Sequence, residues 1–292
     1  MHLVSREQVG SGTRTVIQCV TTQHAPEMVS AGSAATSVNQ QAILVGDTDG
    51  NVSHMYPYQL NWKINLGAQV QQLLAQYPLH TRKDLTDATL ATLTSNQAGP
   101  IQGMVSATIP PLPATSPNSQ SQLATTTYTF VITWLPLVFV LVQQTLVMVI
   151  PLSAQPTTLC TGRFVSSHQP IAPSEAPAHQ PVSYDNVLVG CSDGSVYLLD
   201  SMAAKPWFSC PYALTQMVAV PRDDDSTDWV VCTGHNQNLY IYHDRACVQT
   251  HRLNDWPMDL AVGDIDGDGR PELLVLQGTA TLIAYSLVPG RG

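Results

Sequence analysis

The stretch that decides the fold is VLVGCSDGSVYLLD, residues Val187 to Asp200. An apolar run leads into a small polar turn, and a second run with alternating apolar residues follows. Asp193 and Gly194 suit such a turn, because glycine accepts the positive φ angles that tight hairpins need. The stretch therefore predicts a β-hairpin.

The same pattern recurs along the chain, in ILVGDTDGNVSHMY (Ile43–Tyr56), VVCTGHNQNLYIYH (Val230–His243) and LLVLQGTATLIAYS (Leu273–Ser286). The equivalent positions Val196, Leu239 and Leu282 are separated by 43 residues each time. Two further short runs per unit, such as WFSCPY and MVAV, supply the remaining strands. Four short strands in such a period are typical of a propeller blade. The sequence predicts an all-β protein, a β-propeller with FG-GAP-like or WD40-like blades of four antiparallel strands; the alternative is a sandwich of ordinary hairpins.

We expect a single propeller-like domain over residues 1–292, with recognisable blade units at about 43–66, 187–216, 217–257 and 258–287. Segments 95–127 and 153–183 are rich in Pro, Ser, Thr, Gln and Ala, which predicts long disordered insertions there. The region Val70–Ala75 fits either a short helix or a blade strand. Since four units are legible and the last one stops soon after its second strand, a closed ring is not assured.

An uncharged apolar run occupies the middle of the chain, from Tyr128 to Leu152. Its length alone fits a transmembrane helix. Pro136 and the pair of glutamines after Val142 divide it into pieces of strand length, and no basic residues flank it closely. We interpret it as three buried strands, Thr129–Leu135, Leu137–Val142 and Thr145–Ile150, with a membrane helix as the alternative.

The sequence DIDGDGRPE, Asp264 to Glu272, lies between two apolar runs that we interpret as the last strand of one unit and the first strand of the next. Alternation directs the carboxylates of Asp264, Asp266 and Asp268 to one side. Together with the Arg270 carbonyl and the Glu272 carboxylate they form an oxygen ligand set, which selects Ca²⁺ with Mg²⁺ second. An EF-hand is excluded, because its twelfth position is a valine here. The alternative is a loop whose aspartates bind only backbone N–H groups.

The corresponding loop one unit earlier, PRDDDSTD, keeps the acidity but loses the pattern. Arg222 occupies the first ligand position and no glycine follows Asp223, Asp224 and Asp225. We expect a solvated loop there, including Asp228. The pairs Asp49–Gly50 and Asp193–Gly194 have too few carboxylates for a metal site and are expected to be hairpin turns.

The composition limits the classes of function. The net charge is −9 and the few basic residues are scattered, which disfavours nucleic acid as a partner. Six widely spaced cysteines fit buried free thiols in a reducing compartment. The sequence has no P-loop, GxGxxG or HExxH motif, so we expect no enzyme activity. A hydrolase with its residues in the central channel is the catalytic alternative.

The repeat and loop motifs, VGDTDGNVSHM, CSDGSVYLLD and VGDIDGDGRPELLV, resemble those of the FG-GAP repeat propellers of the KICSTOR complex, with kaptin-like propellers second. The resemblance covers less than half of the chain, and Glu272 replaces the aspartate that FG-GAP loops have at their ninth position. It implies a cytoplasmic scaffold recruited to the lysosomal surface without membrane insertion. Its implied partners are the other KICSTOR subunits and GATOR1, which restrain mTORC1 when amino acids are scarce. An integrin-like, membrane-anchored surface protein is the alternative.

Overall fold

The computed structural model describes residues 17–23, 42–56, 59–76, 98–109, 126–165, 185–200, 203–222 and 227–286. These residues form antiparallel sheets of strands that are consecutive in the chain. Only one helix, α1 (Leu66–Gln76), occurs in the described ranges. The ambiguous region around Val70–Ala75 is therefore helical.

Five sheets follow one another, and we number them blades 1 to 5. Blades 1 to 4 have four strands and blade 5 has three. Blade 1 contains β1 (Ile17–Gln23), β2 (Ala42–Asp47), β3 (Asn51–Tyr56) and β4 (Gln59–Asn65); blade 2 contains β5 (Ile101–Ile109), β6 (Thr126–Thr133), β7 (Leu137–Val142) and β8 (Thr145–Pro151). Blade 3 contains β9 (Pro156–Gly162), β10 (Asn186–Cys191), β11 (Ser195–Asp200) and β12 (Ala203–Ser209). Blade 4 contains β13 (Leu214–Val220), β14 (Trp229–Gly234), β15 (Asn238–His243) and β16 (Ala246–Arg252), and blade 5 contains β17 (Pro257–Gly263), β18 (Glu272–Gln277) and β19 (Leu282–Ser286).

The first strand of each blade lies innermost. Contacts join β1 to β5, β5 to β9, β9 to β13 and β13 to β17. Within the described part of the chain no comparable contact joins β17 to β1. The five blades therefore form an arc around a central channel.

The core consists of four apolar layers between successive blades. Each layer joins the face of one blade to the next blade: Val52 packs with Ile101, Val196 with Leu214, and Leu239 with Leu273 in three of these clusters. We call the face directed at the following blade the forward face. Stacked blades bury both faces of their strands, which explains why apolar runs here need not alternate.

Every blade carries a β-bulge in the ladder between its first and second strands. The register shifts occur at Ile17/Cys19, Ile101/Gly103, Gly190/Cys191, Leu214/Gln216 and Pro257/Asp259. A bulge adds twist and re-aims side chains. In blades 2, 3 and 4, polar residues beside the bulge, such as Gln102, Thr157 and Gln216, line one shared cavity.

The apolar run in the middle of the chain forms three strands of blade 2, which confirms the strand interpretation. Strand β7 is buried at five consecutive positions, so both of its faces lie in the core. No helix within the described ranges has the length and apolar character needed to cross a membrane.

The expectation of disorder was wrong for parts of both polar segments. Residues Ile101–Ile109 form β5 and Pro156–Gly162 form β9, each the innermost strand of a blade. Innermost strands face the channel on one side, so they include hydroxyl and amide residues and lack the strong apolar pattern of the other strands. Residues 110–125 and 166–184 lie outside the described ranges.

Candidate functional site

The Asp264–Pro271 loop brings three of the predicted ligands together. One carboxylate oxygen from each of Asp264, Asp266 and Asp268 lies within 4.8 Å of the others, and all three residues are exposed. Gly267 and Gly269 have φ angles of 78° and 86°, which other residues rarely adopt. The glycines therefore permit the tight path that makes the carboxylates converge.

Hydrogen bonds within the loop hold these carboxylates. Asp264 accepts from the backbone N–H groups of Gly267 at 2.8 Å and Gly269 at 3.0 Å. Asp266 accepts from the Asp268 N–H at 3.0 Å, and Asp268 accepts from the Arg270 N–H at 2.8 Å. These bonds leave further acceptor capacity on the carboxylates, since each ionised carboxylate has about four lone-pair sites. The geometry fits a hard cation and also explains how the loop keeps its shape by itself.

The fifth predicted ligand lies apart from this group. Glu272 is buried at 8% exposure, and its Oε2 atom accepts from the Ile265 N–H at 2.8 Å. It is not one of the carboxylates that lie within 4.8 Å of one another among the described residues. Its observed role is to anchor the start of the loop to β18, while the Arg270 N–H closes the turn.

The loop lies within a blade, so the interpretation as a turn between units was wrong. Strands β17 and β18 pair directly, with Val262 opposite Leu273 and Gly263 opposite Glu272. The predicted unit boundaries assign the innermost strand of each blade to the end of the preceding unit. A repeat has no marked beginning, so its period alone could not show where one blade ends.

The equivalent loop of blade 4 was predicted to be solvated, and this prediction was wrong for Asp228. Asp228 is 5% exposed and its two carboxylate oxygens accept from the Arg163 backbone N–H at 2.8 Å and the Arg163 guanidinium at 3.1 Å. The Asp228 N–H in turn donates to the Arg163 carbonyl at 2.7 Å. This ion pair, in which only the carboxylate is fully buried, joins blade 3 to blade 4. Residues Asp223, Asp224 and Asp225 lie outside the described ranges.

The two Asp–Gly pairs form hairpin turns within blades, as predicted. Gly50 has a φ angle of 75° and joins β2 to β3, and Gly194 has a φ angle of 86° and joins β10 to β11. Gly190–Gly194 also has the GxSxG spacing of a nucleophile elbow. An elbow requires a strand-to-helix turn, whereas Ser192 lies in this exposed hairpin between two strands.

The central channel holds a polar cavity of about 200 Å³ between the innermost strands of blades 2, 3 and 4. Its lining residues are Gln102, Gly103, Met104, Thr157, Thr158, Leu159, Thr215 and Gln216. Asp259 of blade 5, 43 residues after Gln216, accepts from the Gln216 side-chain amide at 2.7 Å. Amides and hydroxyls dominate this lining, and it does not provide the acid and base that the hydrolase alternative requires.

Blade 5 exposes its forward face, which sequence reasoning missed. The face comprises the side chains that lie opposite those packed on blade 4: Ala261, Leu274, Leu276, Leu282 and Ala284. Leu276 is 37% exposed and Leu282 is 62% exposed. We call this set the open face. The 43-residue register would have identified Leu282 as the counterpart of a buried position, but not its exposure.

Of the five cysteines whose side chains are described, four are buried and Cys247 is exposed. Burial raises the pKa of Cys191 to about 12 and also raises the pKa of Cys160. A hydrogen bond with Cys232 lowers the pKa of Cys210 to about 7, while burial raises the pKa of Cys232 itself. Cys160, Cys210 and Cys232 pack in the layer between blades 3 and 4.

The sequence matches no protein-family model and no curated protein. Solved structures do resemble the chain. One is BBS1N in complex with ARL6DN, from crystals soaked with lead, at a TM-score of 0.58 and 14% identity over 99% of this chain and 68% of that chain. The same complex soaked with mercury gives a TM-score of 0.57 and 14% identity over 94% of this chain and 67% of that chain. The chain has a β-propeller fold. At this identity the likeness extends to the fold alone.

Proposed function

We propose that this propeller is a non-catalytic scaffold that binds other proteins. The observation that carries the proposal is the open face of blade 5, where leucines at strand positions that other blades bury are exposed. Contiguous exposed apolar side chains are typical of protein-binding surfaces. The polar channel, with amide and hydroxyl groups in its lining, supports a scaffold over a hydrolase.

A narrower proposal concerns the partners. The resemblance of the DG turns and of Asp264–Glu272 to KICSTOR propellers supports a role beside the other KICSTOR subunits, binding GATOR1 at the lysosomal surface. By that resemblance, the protein is cytoplasmic and its loss weakens the restraint of mTORC1 during amino-acid starvation.

Affinity purification of the tagged chain from starved cells tests both levels. We expect KICSTOR subunits and GATOR1 to copurify, and depletion of the chain to leave mTORC1 active in starvation. Reproducible copurification of other proteins without these would overturn the narrower proposal and retain the scaffold. If no protein binds the purified chain stoichiometrically, the scaffold proposal fails.

We also propose that Asp264, Asp266 and Asp268 bind Ca²⁺ as a structural ion, with Glu272 and the Arg270 carbonyl as the remaining predicted ligands. The convergence of the three exposed carboxylates within 4.8 Å supports this proposal. Like charges this close repel each other, and a divalent cation would relieve that repulsion. Binding to the folded state alone raises its stability by ligand linkage.

Thermal unfolding with millimolar Ca²⁺ or EDTA tests the ion. We expect Ca²⁺ to raise the melting temperature of the wild-type chain but not that of Asp266→Asn. Asp193→Asn is the matched control, because Asp193 also accepts a backbone N–H bond in a turn, from Ser195 at 2.9 Å, and should keep the calcium response. An unchanged melting temperature in the wild type would remove the calcium proposal.

A further inference from the structure

Two buried thiols meet in the layer between blades 3 and 4. Cys210 follows β12 at the start of the connection to blade 4, and Cys232 lies within β14. Both belong to the same buried cluster, at 3% and 0% exposure. Val231, the neighbour of Cys232 in β14, packs in the following layer, between blades 4 and 5. Because side chains alternate along a strand, Cys232 is directed at blade 3, where Cys210 lies.

The contacts around Cys210 hold it beside its partner. The two thiols are hydrogen-bonded to each other, and the Tyr242 hydroxyl also bonds to Cys210. The Tyr242 ring stacks on Phe208 of β12 at a centroid distance of 4.2 Å. The backbone N–H of Cys210 donates to the Gly194 carbonyl at 2.8 Å. Blades 3 and 4 therefore both contribute to the placement of this thiol pair.

Cys210 can reach both an oxidant and its partner. Residues 210–213 belong to neither a strand nor a helix, and the flanking residues Ser209 and Pro211 are exposed. Hydrogen peroxide is little larger than water, so it can approach Cys210 along this surface connection. A disulfide requires the two sulfur atoms to approach to about 2.05 Å. The irregular connection allows Cys210 to make that movement, while β14 holds Cys232 in place.

The two thiols differ in acidity, and this difference favours a reaction between them. The hydrogen bond with Cys232 lowers the pKa of Cys210 to about 7, so a large fraction of Cys210 is thiolate at neutral pH. Burial raises the pKa of Cys232, which therefore remains a thiol. The thiolate is the nucleophile in thiol oxidation. Cys210 is accordingly the residue that reacts first, and Cys232 is the resolving residue.

The remaining cysteines with described side chains lack this combination. Burial raises the pKa of Cys191 to about 12 and also raises the pKa of Cys160, which keeps both thiols protonated and unreactive. Cys160 shares the layer with Cys232, but it lies in β9, where strand pairing with β10 fixes its backbone. Cys247 is exposed on β16, outside this layer. The pairing of Cys210 with Cys232 is therefore selective.

We propose that Cys210 and Cys232 form a reversible disulfide on exposure to hydrogen peroxide, which joins blade 3 to blade 4 covalently. The Cys210 thiolate attacks one peroxide oxygen, the O–O bond breaks, hydroxide leaves and Cys210 becomes a sulfenic acid. That hydroxide removes the Cys232 proton and becomes water. The Cys232 sulfur then attacks the Cys210 sulfur, so the S–S bond forms and the S–O bond breaks with release of a second hydroxide. The two thiols lose two electrons and the peroxide gains them. A dithiol reductant reverses the reaction by thiol–disulfide exchange.

The disulfide would fix the inner part of blade 4. The segment that it closes contains β13, which lines the channel cavity with Thr215 and Gln216, and the loop that carries Asp228. Closing a segment of chain lowers the conformational entropy of the unfolded state, so the oxidised protein is the more stable form. The thiol pair is thus a redox-sensitive device within the arc, and it goes beyond the proposed scaffold function without depending on any partner.

Peptide mapping of the purified chain tests the disulfide directly. The protein is treated with hydrogen peroxide, quenched in acid, alkylated under denaturing conditions and digested for mass spectrometry. We expect a peptide that links Cys210 to Cys232 and that dithiothreitol separates, while Cys160 and Cys191 remain free for alkylation. Free thiols at Cys210 and Cys232, sulfinic acid at Cys210 without the link, or a disulfide of either residue with Cys160 or Cys247 would each overturn the proposal.

Thermal unfolding before and after peroxide treatment tests the consequence. The melting temperature of the wild type should rise by about 5–10 °C on oxidation. Cys210→Ala and Cys232→Ala should each lose this rise, and one of the two variants is sufficient if the other does not fold. Cys191→Ala is the matched control, because it removes a buried thiol outside the pair and should keep the rise. A linked peptide without any rise in melting temperature would refute the stabilising role of the disulfide.

Discussion

Blades 4 and 5 are built from the same repeat, yet they differ in what covers them. Leu239 and Leu282 occupy equivalent positions 43 residues apart, and they are 2% and 62% exposed. The next equivalent pair on the forward faces, Ile241 and Ala284, differs in the same direction, since Ile241 is buried and Ala284 is exposed. In a repeat architecture each unit contacts one neighbour on each of its two faces. The sequence of a blade therefore specifies its sheet, whereas the neighbouring unit determines whether the side chains on a face are buried.

The loops between the first and second strands of these blades show the same contrast. In blade 4, Asp228 is buried and bonded to Arg163 of the preceding blade. In blade 5, Asp264 accepts hydrogen bonds only within its own loop among the bonds described. One acidic loop therefore contributes to the arc, while the other can bind an ion without disturbing a contact between blades.

Truncation of the two equivalent leucines should give the largest difference between the blades. Leu239→Ala removes a fully packed side chain and leaves a cavity, so we expect a loss of about 2–5 kcal/mol in the free energy of unfolding. Leu282→Ala should cost no more than about 0.5 kcal/mol, as usual for an exposed position. Urea unfolding followed by tryptophan fluorescence measures both. Equal losses would show that Leu282 is covered in solution.

Loss of the carboxylate at Asp228 should have the next largest effect. Asp228→Ala removes the buried acceptor of the Arg163 backbone N–H and one acceptor of the Arg163 guanidinium, which also donates to the Arg222 carbonyl, and we expect this to cost about 1–3 kcal/mol. Asp268→Ala is the control in the exposed loop of blade 5 and should cost less than about 1 kcal/mol. The comparison is made by urea unfolding in EDTA, so that ion binding does not contribute. A small effect of Asp228→Ala would mean that the blades do not depend on this ion pair.

A matched pair of glycine substitutions gives a smaller difference. Gly194 and Gly269 have the same φ angle, 86°, so alanine is strained to a similar degree at both. A Cβ atom at Gly194 would lie 2.2 Å from the Cys210 carbonyl oxygen, whereas none of the surrounding atoms lies within 4 Å at Gly269. Gly194→Ala should therefore cost at least about 1 kcal/mol more than Gly269→Ala, because the backbone must move. Identical melting temperatures for the two variants would contradict the close packing of the blade 3 hairpin.

The sequence predicted the propeller because its signal is repetitive. Each DG turn is a local feature, and its recurrence with alternating apolar residues makes blades the simplest interpretation. The same reasoning identified the strands of blade 2 inside an uncharged run, since Pro136 and two glutamines mark the turns. It failed at β5 and β9, where a mixed polar and apolar pattern reflects contact with the channel. That pattern acquires meaning only when the position of the strand in the ring is known.

The candidate sites divide in the same way. The carboxylates of Asp264, Asp266 and Asp268 are close in sequence, so local alternation was enough to predict their convergence. Asp228 is paired with Arg163, which lies 65 residues earlier in the chain. A local sequence pattern cannot predict a pairing over that separation. The open face is exposed because no described strand packs against the forward face of blade 5. The period of the repeat predicts the strands of a blade but not whether another sheet covers them.

The smallest expected effect is a pH dependence that reports whether a forward face is covered. His54 lies on the covered forward face of blade 1 at 7% exposure, stacked on Trp62, and burial lowers its pKa from the usual 6.5. Its contribution to stability is complete above pH 6.5, because both states are then neutral. It falls as the pH drops below 6.5, because the unfolded chain takes up the proton first, and it levels off below the folded pKa. The melting temperature should therefore fall more between pH 7.5 and 5.5 in the wild type than in His54→Gln.

Ala284→His, at the equivalent position of the open face, should titrate near the unperturbed value by NMR and add no pH dependence to the melting temperature. A depressed pKa there would show that blade 5 is covered in solution, and the contrast between the two ends of the arc would be lost.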